Sequence, residues 1–307
     1  MKDAPLRRNG VRGYDGNTFI EVLGRALTLP TLEDLVLKFR ADDGPFKSSN
    51  AHNDDTHPDT PPEVVIQFLI FRVLGEIQSY PSPLKSLTLD HLLPLPHPFL
   101  ESPPVIRLLS KLTHFAINTT SPCPTFSITN PESRITFQLF KKEALSSSLV
   151  SLQLHHACVR STEMIAPISK VHLPRLAYLS LQRTYFSEQG EVEQFITRHG
   201  GTLVELKLFL CPMALSTRIS SSHSPESFRR WAQVWNHFDG ELRVLKNLVV
   251  SERHDSAGAE DIGLGRYVDN CYFCNVVDLG KEDMGADDTA LKQLQKSVES
   301  RSQAVCS

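Results

Sequence analysis

The spacing leucine, two residues, leucine, one residue, leucine recurs along the chain, and it restricts the fold more than any other feature. Leu32, Leu35 and Leu37 carry it first, then Leu84, Leu87 and Leu89. Leu112, Phe115 and Ile117 form a weaker copy, followed by Leu149, Leu152 and Leu154, then Leu176, Leu179 and Leu181. Leu203, Leu206 and Leu208 come next, and Leu245, Leu248 and Val250 close the series. The third apolar positions are spaced 52, 28, 37, 27, 27 and 42 residues apart.

Several of these steps match the roughly 20–29-residue period of leucine-rich repeats, and the longest is about two such periods. The steps of 37 and 42 residues require insertions. In a short strand the fourth and sixth positions of each unit point to one face, and the third, fifth and seventh to the other. One unit buries two or three leucines and cannot close a core alone, so neighbours must stack. Parallel strands need crossover connections, which the intervening segments supply.

Those segments read as helices. Thr60-Pro61-Pro62-Glu63 has the residues of a capped helix start, with Val64, Val65, Phe68, Leu69 and Val73 as its apolar stripe. Ser102-Pro103-Pro104 opens a helix through Leu109, and Phe19, Val22, Leu23 and Ala26 mark an earlier one. Ser187 starts another, with Val192, Phe195 and Ile196 inward and Gly200-Gly201 as its stop. Ser224-Pro225-Glu226 opens the next, placing Phe228, Trp231, Val234, Trp235 and Phe238 on its apolar side before Gly240. The expected fold class is α/β: a leucine-rich-repeat-like solenoid of short parallel strands alternating with helices, with irregular repeats. It spans residues 1–260, with a loop insertion near 41–60. Residues 261–307 form a C-terminal irregular segment, acidic from Asp283 to Asp288, and a capping helix from Thr289 to Val298.

Composition narrows the partners. Net charge is −3 and no long basic run exists, so nucleic acid and an anionic membrane surface are not expected as partners. No apolar signal region follows Met1, and the most hydrophobic stretch, Val64 to Ile77, contains Gln67, Arg72 and Glu76. The six cysteines are scattered, which fits a reducing compartment. An intracellular protein, cytoplasmic or nuclear, is the expectation.

Catalytic machinery is not expected. The chain lacks a Gly-x-Ser-x-Gly elbow, a phosphate loop and a His-Glu-x-x-His helix. Gly263-Leu264-Gly265 has no third glycine and opens no helix. Cys271 and Cys274 are the one close cysteine pair, but a structural zinc site needs four ligands. His52 and His57 lie in a polar loop, and His155-His156 at a strand end, where one ring faces out and the other lies in the turn. No cofactor, metal ligand or catalytic residue is assigned.

A repeat array works through the exposed face of its sheet. The outward positions run from Asp34, Val36 and Lys38 through each unit to Asn247, Val249 and Ser251, a mixed polar row. A protein partner bound on this concave sheet would meet Gln153, His155, Tyr178, Gln182, Lys207 and Phe209. Tyr178 and Phe209 are the aromatic anchor candidates, although Leu210 beside Phe209 also fits a locally buried strand end.

The second half carries a family resemblance. The run from His172-Leu-Pro-Arg-Leu-Ala-Tyr-Leu-Ser-Leu181 continues to Phe195-Ile-Thr-Arg-His-Gly-Gly-Thr-Leu-Val-Glu-Leu-Lys-Leu208. Cys211-Pro212, Ser227 to Trp235, and Leu242 to Val250 follow in order. From about Leu145 to Arg301 the chain resembles fungal F-box-type proteins with degenerate leucine-rich repeats. The resemblance implies repeats that hold a protein substrate and an F-box that docks on the adaptor of a cullin ubiquitin ligase. Leu29-Pro30-Thr31-Leu32 already belongs to a repeat, and the roughly thirty residues before it are shorter than an F-box. An adaptor contact through an F-box is therefore not expected of this stretch of chain. Only Cys211 falls at the ninth position, where such repeats often place Asn or Cys.

Overall fold

The computed structural model describes residues 16–39, 62–76, 84–93, 98–119, 148–156, 168–215, 229–251, 267–269 and 281–304. Each of the seven leucine-bearing segments forms a strand: β1 (Asp34–Lys38), β2 (Ser86–Leu92), β3 (His114–Thr119), β4 (Ser151–His156), β5 (Tyr178–Gln182), β6 (Glu205–Phe209) and β8 (Asn247–Ser251). All pair in parallel in the order β1-β2-β3-β4-β5-β6-β8. Asp34, Ser86, His114, Ser151, Tyr178, Glu205 and Asn247 lie in one row across the sheet. The spacing therefore sets both the strands and their register. The fold is mixed α/β, a parallel sheet alternating with helices.

The helices are α1 (Gly16–Leu27), α2 (Pro62–Glu76), α3 (Pro103–Leu109), α4 (Glu191–Arg198), α5 (Trp231–Glu241) and α6 (Lys281–Gln303). Leucines at the first, fourth and sixth positions fill the core. From β2 to β6 they are nearly inaccessible, as with Leu112, Leu152, Leu176 and Leu206 at 0% exposure. Among the described residues no helix is long and apolar enough to cross a membrane.

Near the end of β2, where its register with β3 shifts, and just beyond β5 and β6, the chain passes through a left-handed residue at the eighth position of the unit: His91, Arg183 and Leu210, with φ of 57°, 52° and 51°. Their shared place marks a common exit from the sheet. There the Arg183 N–H donates to the Phe209 carbonyl and the Leu210 N–H to that of Ser251.

Several helix details differ from the sequence reading. Among the described side chains of α2, Gln67, Ile70, Phe71, Val73 and Leu74 are buried while Phe68 is 46% exposed; Val64 and Val65 lie outside them. That helix is apolar around most of its circumference, so periodicity alone cannot select a face. The Gln67 amide fixes the rotation by donating to the Leu93 carbonyl and accepting from the Leu93 N–H. In α1, Leu23 and Leu27 turn inward and Val22 stays exposed. Ser187 precedes a turn; α4 begins at Glu191 after Gly190, which has φ of 67°. Gly240 lies inside α5 rather than ending it. Ser224-Pro225-Glu226, Phe228 and the 41–60 insertion lie outside the described residues. A two-stranded parallel ribbon, β7 (Met213–Leu215) with β9 (Tyr267–Asp269), was not anticipated; three-residue strands carry no readable alternation.

The largest departure is α6, which starts eight residues before the expected Thr289 and takes in the acidic stretch. Carboxylates favour a helix N-terminus, so the acidic run is helical rather than a solvated approach. Asp287 is 1% exposed. Its Oδ2 accepts from the Tyr267 hydroxyl at 2.6 Å and its Oδ1 from the Ala232 N–H at 2.8 Å. The Tyr267 oxygen accepts the Trp231 N–H at 2.9 Å. Burial, with Asp287 beside it, pushes the Tyr267 hydroxyl well above the ordinary phenol range, keeping it a donor. At the other end of α5, Arg301 donates to the Leu242 and Asp239 carbonyls and to the Asp239 carboxylate. A carboxylate at the start of α5 and a guanidinium at its end both complement the helix dipole.

His199 ties α4 to the segment before β5. Its Nε2 accepts the Leu173 N–H, so Nδ1 carries the proton and donates to the Phe195 carbonyl. Burial lowers its pKa below 6.5. The unfolded ring protonates first as pH falls, so the stability held by the neutral ring is complete above pH 6.5 and is lost as pH drops through the lowered folded value. The gap in urea midpoint between wild type and His199→Gln is accordingly expected to narrow from pH 7.5 to pH 5. A gap independent of pH would remove this account.

Candidate functional site

On the sheet face away from the leucine core, β4, β5 and β6 present a three-by-three grid. Its rows are Ser151-Tyr178-Glu205, Gln153-Ser180-Lys207 and His155-Gln182-Phe209. Neighbouring strands are about 4.8 Å apart, and successive outward residues along a strand are about 6.6 Å apart. The small Ser180 at the centre, surrounded by larger side chains, leaves a hollow of about 250 Å³.

Gln153, His155, Tyr178, Lys207 and Phe209 line this hollow together. Gln182 shares a row with His155 and Phe209 but does not border it. Ser180 and Glu205 border it and were not singled out from sequence. The readable signal for them was the register: a serine framed by Gln153 and Lys207 on neighbouring strands. Phe209 is half-buried against the hollow, and it is Leu210, turned through its positive φ, that enters the buried layer.

The hollow is polar but electrically compensated. Lys207 donates to Glu205 at 2.5 Å. That hydrogen bond, supported by another from Asn247, holds the Glu205 carboxyl below its usual range. His155 Nε2 lies 2.9 Å from Ser180 Oγ, and burial lowers the His155 pKa, favouring the neutral ring. Tyr178 is 44% exposed at the rim. These groups can hydrogen-bond and stack on a partner without presenting an unpaired charge.

The other sequence candidates separate. His155 faces this hollow while His156, 8% exposed, turns to the opposite side, with Nδ1 3.4 Å from Thr119 Oγ1. Adjacent rings on opposite faces cannot share a metal ion. The Cys211 thiol donates to the Leu181 and Phe209 carbonyls, and burial pushes it up to about 12. It bridges two units and is not poised as a nucleophile. Among the described residues no cluster of three or more His, Cys, Asp or Glu could hold a metal ion. Cys271, Cys274, His52, His57 and Gly263-Leu264-Gly265 lie outside them.

Comparison with protein-family models gives no match, and comparison with curated proteins gives none either.

Proposed function

We propose that the chain is a protein-binding leucine-rich-repeat solenoid that receives its partner on the open sheet face, around the Ser180 hollow. The observation that carries this reading is the parallel register shared from β1 to β8, interrupted only after Leu89 in the β2–β3 pairing. It turns seven separate outward triplets into one continuous polar surface. Strands that neighbour one another in strict sequence order, with one leucine layer beneath, agree with stacked repeats rather than with a doubly wound sheet, whose order reverses. The one hydroxyl–imidazole pair on the hollow, Ser180 with His155, has no carboxylate orienting the ring among the described residues, and Ser180 is only 8% exposed, which supports binding over catalysis.

The form suggested by the sequence resemblance is the substrate-holding part of an F-box-type ubiquitin ligase subunit. A second reading is a free-standing scaffold on the same fold, in which α1 packs against α2 as part of the helix layer. Affinity capture with quantitative mass spectrometry tests both. Tyr178→Ala is expected to weaken the partner by about 2 kcal/mol, roughly thirtyfold in Kd, and Ser180→Arg to abolish its capture by filling the hollow. Adaptor and cullin peptides retained by both variants would support the ligase form, and their absence from wild-type captures would leave the scaffold. A partner set unchanged in both variants would defeat the sheet-face reading.

A further inference from the structure

Both end strands are less buried than the middle of the sheet, Leu248 and Val250 on β8 being partly buried like Leu35 on β1, but a helix packs on the last unit. At the β8 end, the first-position leucine, Leu245, is fully buried, and α6 closes over the unit through Arg301 and through Ser302, which donates to the Lys246 carbonyl. At the β1 end, Leu32 and Leu35 are only partly buried, whereas their counterparts Leu112, Phe115, Leu149 and Leu152 are at 0–1% exposure. Val36 is 56% exposed, and Val22 and Leu29 in the same unit are 60% and 50% exposed. Among the described residues, β1 pairs only with β2.

The backbone of β1 specifies what can pair with the edge that no other described strand occupies. The Glu33 carbonyl accepts from Lys85 and Ser86, and the Phe39 N–H donates to the Asp90 carbonyl. Residues 33 and 39 therefore address β2, and by the alternation of a parallel ladder so do 35 and 37. The N–H and C=O groups of Asp34, Val36 and Lys38 point to the open side.

We infer that β1 pairs with β1 of a second copy of this chain, antiparallel about a two-fold axis at Val36. That register opposes Val36 to itself and Asp34 to Lys38 of the other copy in both directions. The three opposed pairs use outward-pointing backbone groups, so each exchanges two N–H···O=C bonds. On the open face two opposite-charge pairs flank a valine contact, an arrangement that stabilises cross-strand neighbours. On the core side Leu35 meets Leu37 of the other copy, covering the leucine that the monomer leaves partly bare. Charged residues on an edge ordinarily discourage strand addition. Here they select for a strand carrying the reversed order of charge, and β1 read antiparallel is such a strand. The contact is isologous and closes at two copies, joining two sheets into one.

Sedimentation equilibrium of the full chain tests the pairing. The apparent mass is expected to rise from 34.4 kDa toward twice that value as loading increases from micromolar to submillimolar. Val36→Pro removes an N–H that points away from β2, so it spares the monomer's ladder and is expected to weaken association at least about tenfold. Asp34→Lys alone sets like charges opposite one another and is expected to keep the chain monomeric. The reversal Asp34→Lys with Lys38→Asp is expected to restore the dimer. Circular dichroism confirms folding, and should the proline variant unfold, the two charge variants decide. A wild type that stays monomeric, a dimer indifferent to Val36→Pro in a folded chain, or a double reversal that fails to restore association would each overturn the pairing.

Discussion

Replacing Asp287 with alanine is expected to lower the unfolding free energy by about 3–5 kcal/mol. The carboxylate is 1% exposed and accepts from two donors, the Tyr267 hydroxyl and the Ala232 N–H. Removing it leaves both donors buried without an acceptor and also takes a negative charge from the start of α5. Asp287→Asn retains one accepting oxygen and is expected to lose roughly half as much. Urea denaturation followed by the fluorescence of Trp231 and Trp235 provides the measurement, since both indoles lie in the affected helix. A loss below about 1 kcal/mol for the alanine variant would show that water replaces the carboxylate and that the network is not a determinant of stability.

The second large effect belongs to the leucine layer. Leu206→Ala is expected to cost about 2–5 kcal/mol, because Leu206 is at 0% exposure between two strands and a stacked interior collapses poorly around a lost side chain. Leu35→Ala occupies the equivalent position in the first unit, where the side chain is only partly buried, and is expected to cost about 1 kcal/mol or less. Measured at low protein concentration, this contrast distinguishes a graded stack, shallower in its end units than in its middle, from a core of uniform depth. Equal losses at both sites would contradict the graded stack.

The strands and their outward rows were legible in the sequence because a period of two leaves no freedom. Once Leu179 and Leu206 are placed inward, Tyr178, Ser180, Lys207 and Phe209 must face out, and equal spacing within each unit aligns them. The hollow needed one step more, the recognition that a serine is framed by longer neighbours. Helix faces were less legible. The apolar circumference of α2 offers several equivalent stripes, and the choice falls to Gln67, whose partner at Leu93 lies 26 residues away. The clamp on α5 was not legible at all. Its N-terminal partners, Tyr267 and Asp287, stand 36 and 55 residues beyond the N–H groups they receive. An aspartate in an acidic run carries no local sign that it will be buried.

Among the described residues α6 grips the last unit, at both ends of α5, so the middle units upstream of it can change in number. The units ending at Leu154, Leu181 and Leu208 follow one another at 27-residue steps, so duplication or deletion of one such segment would leave the terminal lock untouched. A chain with one such middle segment added or removed is therefore expected to keep its C-terminal closure intact.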